Sequence, residues 1–594
     1  MSIERGMSSF KNLINRNAVF QIPTYQRNYS WESGQLEDLW NDLFYLENNR
    51  KHFLGTILLR NTSKKIKRGI NEFEVYDIID GQQRMVTSLI LLKNLFDKLY
   101  LYNDLKDQIN RERELYLKFI DIYKVKLLGD DEKYFIDNIL ENLPFPDEIL
   151  TPSQKRLKNA LIYFNNKIKE LNNRESLENI KLKIDSMEIL VYPIEKESDA
   201  ARMFTIINDR GKLLSNLERT KSFLMYTIYL CSPEEKLEQD LEDINKRFSN
   251  IFKNVMSIEK SRWGKISEDE IQRYHFITYV TKAEIDTVYN DKRISSSSRE
   301  KASSIYMDML KEKITQLYRI KREECRNTVL NYIIDLENSF IALREMATYN
   351  ENDRTYEILS RIFSLGRLGN FYPLLIVSWI RYKNDKEKLN EILSLVEKFV
   401  FRVYLATGTR SYAARNNLYN LAFASKKSKF DLIKQKLKEI LLKYAYDEKL
   451  KTSLESSQFY LEKSSRDIRY ILYEYDKHLR EIVKEPLPLD LTQILSTGYD
   501  VEHIWAKDAA KLNLNESELK VHQANVHRLG NLTIASESWN RSWGNDPFSN
   551  KKNKYRESAF RVQKELTNFN IWEKEQIDTR QKILVNFILN RWSV

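Results

Sequence analysis

The sequence contains little cysteine, glycine or proline, and it has no long apolar run. Its 594 residues include 2 Cys, 14 Gly and 10 Pro. Cys231 and Cys325 are too few for a disulfide framework or a four-thiolate zinc site, which fits a reducing compartment. The N-terminus lacks the apolar core of a signal peptide, and no window of about 20 apolar residues predicts a membrane span. We therefore expect a cytoplasmic protein with no membrane partner.

Positive charge is in excess. The chain has 96 Lys and Arg against 85 Asp and Glu, a formal net charge of +11. Such an excess favours polyanions, either nucleic acid or an acidic membrane surface. AT-rich genomes, which encode Lys-, Asn- and Ile-rich proteins, offer an alternative explanation with no role in nucleic-acid binding.

The pattern of apolar residues predicts an α+β protein that is predominantly helical. Scarce glycine and proline favour long helices over a β-sandwich or barrel. Residues 52–59 and 74–80 predict strands, residues 82–101 an amphipathic helix, and residues 189–192 a strand that returns to the first sheet.

The chain divides into three predicted regions. Residues 1–200 form a small α/β domain, and residues 201–484 are almost continuously helical without a motif that assigns a chemistry. Residues 485–489, which contain two prolines, predict a linker. Residues 485–594 form the third region, whose composition differs from the helical middle.

Three of the six histidines, His503, His522 and His527, lie within 25 positions of one another. The sequence reads YDVEHI at 499–504, HRLGNLTI at 527–534 and WN at 539–540. This order of strand, loop, strand and helix predicts a compact unit of two strands and one helix. Taken singly, each histidine or asparagine is also typical of a residue that caps a turn.

The residue types of this cluster suit the cutting of a phosphodiester bond. A neutral imidazole such as that of His503 is a suitable base for the attacking water near pH 7. A hard divalent cation stabilises the charge on the phosphate, and carboxylate and amide oxygens suit it. Glu502 offers a carboxylate beside His503, although adjacent strand side chains point to opposite faces, so a bend must bring both to the site.

These motifs resemble the HNH nuclease domain of GmrSD-like type IV restriction and phage-defence endonucleases. The resemblance rests on the E-H-I triplet, the L-G-N-L-T stretch, Asn540 and the basic stretch that begins at Pro547-Phe548. It implies that His503 is the general base and that Glu502 and Asn540 hold Mg²⁺ or Mn²⁺. It also implies that Asn531 braces the loop carrying His503 through its backbone, so that His503, Asn531 and Asn540 form the catalytic set. The same resemblance implies DNA-phosphate contacts, which weaken with salt, from Lys551, Lys552, Lys554 and Arg556.

A second cluster combines residues 22–31 with the stretch I-I-D-G-Q-Q-R at 78–84. Asp80-Gly81 ends a predicted strand and opens a helix, where unpaired backbone N–H groups favour anions. Arg27 and Arg84 add forked, permanently charged donors that match phosphate oxygens. The loop therefore predicts an anion or nucleotide cradle, although Asp-Gly alone is above all a turn signal.

This cluster resembles the N-terminal domain of the same restriction family, which is ParB/sulfiredoxin-like and binds or hydrolyses nucleoside triphosphates. A third stretch, residues 207–215 followed by Lys221, also matches the family pattern. An alternative for it is a helix that ends at Gly211 and a new helix capped by Ser215. The resemblance implies nucleotide contacts from nine residues: Gln26, Arg27, Asp80, Gly81, Gln82, Gln83, Arg84, Asn208 and Arg210.

The function predicted from these two sites is a nucleotide-regulated, metal-dependent endonuclease that restricts foreign phage DNA carrying modifications. Its cofactors would be Mg²⁺ or Mn²⁺ and a nucleoside triphosphate. A homodimer and partner defence proteins are candidate assemblies. Two alternatives stay open: a nucleotide-switched DNA-binding protein without cleavage, and an HNH toxin directed at RNA.

Overall fold

The structure is a computed structural model. It describes the chain except residues 1, 2, 4, 5, 25, 48, 49, 172, 195–214, 262–265, 497, 510, 511, 513 and 540–545. Backbone contacts divide the chain into two compact units: one of residues 1–260, 266–272 and 307–341, the other of residues 261–265, 273–306 and 342–594. The predicted α+β, predominantly helical fold class is confirmed. The three-region division stays a prediction.

The first unit contains a six-stranded mixed sheet with the strand order β1-β8-β3-β4-β2-β7. β3 runs antiparallel to β4 and parallel to β8, and β2 runs parallel to β4 and β7. Two shorter strands, β5 and β6, pair separately. The strands are β1 (Gly6–Ser9), β2 (Ala18–Gln21), β3 (Phe53–Arg68), β4 (Asn71–Asp80), β5 (Lys118–Phe119), β6 (Ile122–Tyr123), β7 (Val125–Lys126) and β8 (Glu188–Ile194).

The predicted returning strand is confirmed, because β8 lies between β1 and β3. The predicted strand at residues 52–59 is too short. β3 continues to Arg68 and pairs with β4 across a hairpin turn, with Arg68 opposite Asn71. The added residues are mostly polar and exposed, so they carry no apolar alternation that would predict a strand.

One helix against this sheet, α3 (Gln82–Leu99), is buried on almost every side. A helix that is apolar around its circumference belongs in a core, and Leu91, Leu92 and Phe96 of α3 are fully buried. The other helices of this part of the chain are α1 (Phe10–Ile14), α2 (Ser33–Phe44), α4 (Lys106–Tyr116), α5 (Asp130–Tyr134), α6 (Pro152–Lys169), α7 (Arg174–Ser186), α8 (Asn216–Cys231) and α9 (Glu234–Lys260).

The two cysteines lie far apart in the sequence but meet in the first unit. Cys231 ends α8, Cys325 lies near the start of a later helix, and both thiols are buried and free. Burial raises the pKa of Cys231 to about 12, and a hydrogen bond with Cys325 acts in the same direction.

The described segments in the middle of the chain are helices joined by loops. Its helices are α10 (Glu268–Tyr279), α11 (Lys282–Asn290), α12 (Arg299–Ala302), α13 (Tyr306–Ile320), α14 (Arg322–Ala347), α15 (Arg354–Leu365), α16 (Tyr372–Tyr382), α17 (Lys386–Phe399), α18 (Arg415–Ser425), α19 (Phe430–Tyr444), α20 (Asp447–Leu454), α21 (Phe459–Glu462) and α22 (Ser465–Val483). The most apolar stretch of the chain forms α16, which has 11 residues. None of the helices in the described ranges combines the length and the apolar character of a membrane span.

The C-terminal part of the second unit contains a two-stranded antiparallel sheet of β9 (Tyr499–His503) and β10 (Leu532–Ser536). The helices around it are α23 (Leu491–Leu495), α24 (Glu516–Asn525), α25 (Phe548–Glu557), α26 (Arg561–Lys564) and α27 (Lys574–Arg591). A small core holds the sheet to α25 and α27, and it includes Ile504, Phe548, Trp572 and Ile577.

Candidate functional site

His503 is the last residue of β9 and lies opposite Leu532 of β10. Its side chain is buried, with 5% relative exposure. Three groups surround the imidazole. The Tyr460 ring lies 4.4 Å away and the His527 ring 5.5 Å away, both nearly perpendicular to it. The ammonium group of Lys507 lies 5.5 Å from the centre of the Tyr460 ring.

The surroundings of His503 favour its neutral form. Burial lowers the pKa of His503 to about 3, and His527, Lys507 and Lys551 act in the same direction. Burial also lowers the pKa of His527. Both rings are therefore neutral near pH 7, as a general base requires.

Glu502, the neighbour of His503, faces a different set of residues. Its carboxylate accepts a hydrogen bond from the ammonium of Lys551 on α25, and both side chains are almost completely buried. Lys551 also donates to the backbone oxygen of His503 at 2.9 Å. Burial raises the pKa of Glu502, and the charge of Lys551 opposes that rise.

This geometry corrects the predicted role of Lys551. In this structure the ammonium group of Lys551 is paired with the Glu502 carboxylate and is not available to a DNA phosphate. The helix explains the burial, because Phe548, Lys551 and Tyr555 recur at three- and four-residue spacing and form the inner face of α25. Lys552, Lys554 and Arg556 lie outside that buried stripe.

The predicted magnesium site stays a prediction. No group of three or more His, Cys, Asp and Glu side chains in the described ranges has the arrangement of a metal site. The expected ligand Glu502 is bound by an ammonium group, and the other expected ligand, Asn540, lies outside the described residues.

Asn531 is fully buried and joins three segments of the C-terminal unit. Its side-chain oxygen accepts from the backbone N–H of Trp505 at 2.7 Å and from the indole of Trp572 at 3.0 Å. Its amide donates to the carbonyls of Trp505 at 3.1 Å and Val526 at 2.8 Å. The segment after His503 is therefore held at both the backbone N–H and the backbone carbonyl of one residue, Trp505.

The rest of the L-G-N-L-T stretch is shaped by packing. A Cβ atom on Gly530 would lie 2.5 Å from the backbone oxygen of Ile577 in α27, so no larger residue fits there. Arg580 of α27 donates to the backbone oxygens of Gly530 at 3.0 Å and Leu532 at 2.7 Å. His522 is structural as well, because its ring lies against Trp505 and its Nε2 bonds the backbone oxygen of Ala506 at 2.9 Å.

In the first unit, the glutamines expected in the nucleotide cradle bond the protein instead. The side-chain amide of Gln82 donates to the backbone oxygen of Arg27 at 3.0 Å, and that of Gln83 to Asn28 at 3.1 Å. Gln26 donates to the backbone oxygen of Ile79 at 2.5 Å. These bonds fix the segment that carries Arg27 against the start of α3.

Asp80, Gly81 and Arg84 also have structural partners. Arg84 pairs with Asp80 at 2.8 Å and donates to the backbone oxygen of Leu54 at 3.2 Å. Gly81 adopts a positive φ of 96°, and a Cβ atom there would lie 3.0 Å from Ile57. Glycine is therefore required at this position by the backbone turn and by packing. The predicted contacts Asn208 and Arg210 lie outside the described residues.

The first unit nevertheless has a cavity, of about 530 Å³, beside this loop. Two long helices begin at its edge: α6, whose N-cap is Thr151, and α8, whose N-cap is Ser215. Backbone N–H groups at helix starts attract anions. Four basic side chains line the cavity as well: Arg27, Lys155, Arg156 and Lys221.

Acidic residues line the same cavity, and the pKa values of its charged groups are shifted by burial and by one another. Burial raises the pKa of Glu268 to about 7, and the nearby Glu218 adds to the rise. Burial lowers the pKa of Lys221 to about 8. Burial likewise lowers the pKa of Arg27, and the negative charges of Glu218 and Asp80 act against this decrease.

Several residues of these sites carry no sequence signal. Tyr460 belongs to α21, a helix of four residues in the predicted motif-free middle. Arg156 and Glu268 lie on helices distant in sequence from the Asp-Gly turn, and ordinary amphipathic patterns account for both. His527, by contrast, stands just before the L-G-N-L-T stretch.

Two family models match the chain, and a search of curated proteins finds no relative. The first model describes the N-terminal domain of GmrSD restriction endonuclease and matches residues 10–225. The second describes the C-terminal domain of GmrSD restriction endonucleases and matches residues 444–587. The first match covers strands β2 to β8 and the cavity residues up to α8, and the second covers β9, β10 and the surroundings of His503.

The matches define the protein as a nuclease whose substrate is DNA. Together they span more than half of the chain in the order of the two domains, so the chain belongs to the GmrSD restriction endonuclease family.

Proposed function

We propose that the chain cuts DNA at His503 by an HNH-type mechanism and that a nucleoside triphosphate bound in the N-terminal cavity regulates the cut. The observation that carries the first part is the buried, neutral imidazole of His503 beside positively charged groups. The second part rests on a cavity where two helix starts and four basic side chains meet, together with the four carboxylates of Glu32, Glu218, Glu259 and Glu268.

In the proposed reaction, His503 accepts a proton from a water molecule, whose oxygen attacks phosphorus while the bond to the leaving oxygen breaks. Burial lowers the pKa of His503 and keeps its imidazole neutral, so the ring has a nitrogen that can accept this proton. Asn531 holds the Trp505 peptide and thereby fixes the position in which β9 ends. A divalent cation, where present, would stabilise charge on the phosphate, and the described residues assign it no ligand set.

The nucleotide would bind with its phosphates near the starts of α6 and α8. Arg27 and Arg156 are the candidates for contact with phosphate oxygens, since a guanidinium offers paired donors. Arg156 also donates through Nε to the carboxylate of Glu32 at 3.2 Å, so phosphate would bind its remaining N–H groups. In this proposal the predicted cradle residues act indirectly: Gln26, Gln82 and Gln83 hold the loop that presents Arg27.

The proposed substrate is foreign phage DNA that carries modified bases or a modified backbone. This part of the proposal is inferred from the family alone, because we identify no cavity among the described residues that would bind a modified base or a modified backbone. Regulation by nucleotide requires that the two sites be coupled through two states of the protein with different affinities.

The test is cleavage of supercoiled plasmid and of modified and unmodified phage DNA, with and without Mg²⁺, chelator and triphosphate. Wild-type protein should cut, and His503→Ala should not cut but should keep its folding and its affinity for DNA. Undiminished cutting by pure His503→Ala protein would remove His503 as the base. A requirement for nucleotide, or inhibition by it, would support the regulatory part.

A further inference from the structure

His503 and His527, whose rings lie 5.5 Å apart, each have a buried ring nitrogen without a hydrogen-bond partner, and so does the neighbouring His522. No residue in the described part of the chain makes a hydrogen bond with Nε2 of His503 or Nδ1 of His527, although both atoms are buried. An unpaired buried polar atom costs about 1–3 kcal/mol, and native proteins keep few of them. Two at one place point to a ligand that supplies the missing hydrogen bonds.

The charge around these nitrogens indicates an anion. Lys507 acts on His503 as a positive charge, whereas the charge of Lys551 is balanced by its pairing with Glu502. The carboxylate nearest in sequence, Glu502, is occupied by Lys551. A neutral imidazole has one N–H donor and one acceptor nitrogen, so the two rings can serve one phosphate together. One ring accepts a proton from water, and the other donates to a phosphate oxygen.

Tyr460 sets the geometry of the pair. Its ring stacks on His527 at 5.7 Å with an interplanar angle of 12°, and it meets the edge of His503 at 4.4 Å. Its backbone N–H donates to the backbone oxygen of His527 at 2.9 Å. The Tyr460 ring thus contacts both histidines and keeps them at an angle of 77° to each other.

We propose that His527 binds the phosphate that is cut, by donating a hydrogen bond to one of its oxygens, and that Tyr460 holds the rings of His527 and His503 in the orientation that this contact requires. This inference rests on the proposed role of His503. It makes His527 a second residue in contact with substrate and Tyr460 a positioning residue. The step at phosphorus is unchanged: water gives its proton to His503, and the oxygen of the leaving group departs as the new bond forms.

The first test is the kinetics of full-length variants. His527→Ala should lower kcat by about 100-fold or more, as the loss of one preorganised donor does. His527→Asn keeps an amide N–H near the position of Nδ1 and should recover part of that loss. Tyr460→Phe keeps both ring contacts and should stay within a few-fold of wild type, whereas Tyr460→Leu should lose activity like His527→Ala. His478→Gln, a substitution outside the site, is the control.

The second test does not depend on cleavage. The chain has 6 histidines, so selective labelling gives few side-chain signals in a nuclear magnetic resonance spectrum. Short duplex DNA, added in the presence of chelator, should shift the signals of His503 and His527 but leave that of His478 in place. Inorganic phosphate alone should shift the same two signals at higher concentration.

The possible failures are distinct. Wild-type kcat in His527→Ala, with an unmoved His527 signal on addition of DNA, would overturn the inference while His503 remains the base. Equal losses in His527→Asn and His527→Ala, with both variants folded and the His527 signal unmoved, would show that His527 only supports the fold. Full cleavage by His503→Ala would overturn the proposed function itself.

Discussion

The ammonium group of Lys551 lies against the carboxylate of Glu502, and neither side chain reaches the solvent. The pair joins α25 to β9 directly beside His503. Breaking a buried ion pair by removing one partner typically costs about 3–5 kcal/mol, because the other charge stays buried alone.

Lys551→Met should therefore lower the free energy of unfolding of the C-terminal unit by about 3 kcal/mol. The double variant Lys551→Met, Glu502→Gln should recover much of that loss, since no buried charge is left over. Urea unfolding followed by tryptophan fluorescence measures both. Lys552→Ala, on the same helix but outside its buried face, is the control and should leave the unfolding midpoint in place. Equal midpoints for Lys551→Met and wild type would mean that the pair contributes nothing.

The nucleotide cavity predicts which substitutions weaken triphosphate binding. Arg27→Ala and Arg156→Ala should each raise the Kd by about 10- to 100-fold, because a hydrogen bond to a charged group contributes about 1.5–3 kcal/mol. Isothermal titration calorimetry measures the change. Lys169→Ala, at the far end of the helix that carries Arg156, should bind as wild type does. Unaltered affinity in both arginine variants would place the nucleotide elsewhere.

Gln82→Ala separates positioning from direct contact in the same cavity. Gln82 does not line the cavity but bonds the backbone oxygen of Arg27 at 3.0 Å. Its removal should weaken binding by less than Arg27→Ala does. In the double variant Gln82→Ala, Arg27→Ala, the two losses of binding free energy should not add, because residues in one hydrogen-bond network are coupled. Additive losses would argue that Gln82 contacts the nucleotide itself.

Much of this arrangement was predictable from the sequence, and the limits have physical reasons. The Glu502-His503 pair, the second strand after Asn531 and the Asp80-Gly81 turn follow from local patterns, since strand propensity, turn chemistry and motif order act over a few residues. The partners of those residues did not follow. The sequence alone predicts that Lys551 is a basic surface residue, because a lysine is rarely buried unless it is paired. Its burial becomes evident only when Lys551 is seen to lie on the same helical face as Phe548 and Tyr555.

Tyr460 shows the other limit. It stands 43 positions before His503 in a helical stretch rich in tyrosine, and no spacing rule links the two. Only tertiary packing brings it onto both imidazoles. The cavity was missed for the same reason, because Arg27, Arg156 and Glu268 meet there from three distant segments.

Glu268 predicts a pH dependence of stability in the first unit. Its folded pKa of about 7 lies above its ordinary value of 4.5, so the folded state binds more protons than the unfolded state between those pH values. Stability is therefore lost as pH rises from about 4.5 to 7. Glu268→Gln removes this cost and should be more stable than wild type at pH 8 by about 1–3 kcal/mol.

The measurement is the difference in thermal midpoint between Glu268→Gln and wild type at several pH values. The difference should be small at pH 4.5 and should reach its full size near pH 8. Glu270→Gln, an exposed carboxylate two positions away, should show no such trend. A difference that is constant with pH would mean that Glu268 titrates normally in the folded protein.

The basic residues of α25 predict how DNA binding responds to salt. Each lost phosphate contact reduces the slope of log affinity against log salt concentration by about 0.9. Lys552→Ala, Lys554→Ala and Arg556→Ala, combined in one protein, should therefore reduce the slope by about 2 to 3 if all three contact phosphate. Lys551→Met should not change it, because its ammonium group is committed to Glu502 inside the protein. The opposite result would be a smaller slope in Lys551→Met and an unchanged slope in the triple variant. It would show that Lys551 leaves Glu502 to contact phosphate when DNA binds, and that the exposed face of α25 makes no such contact.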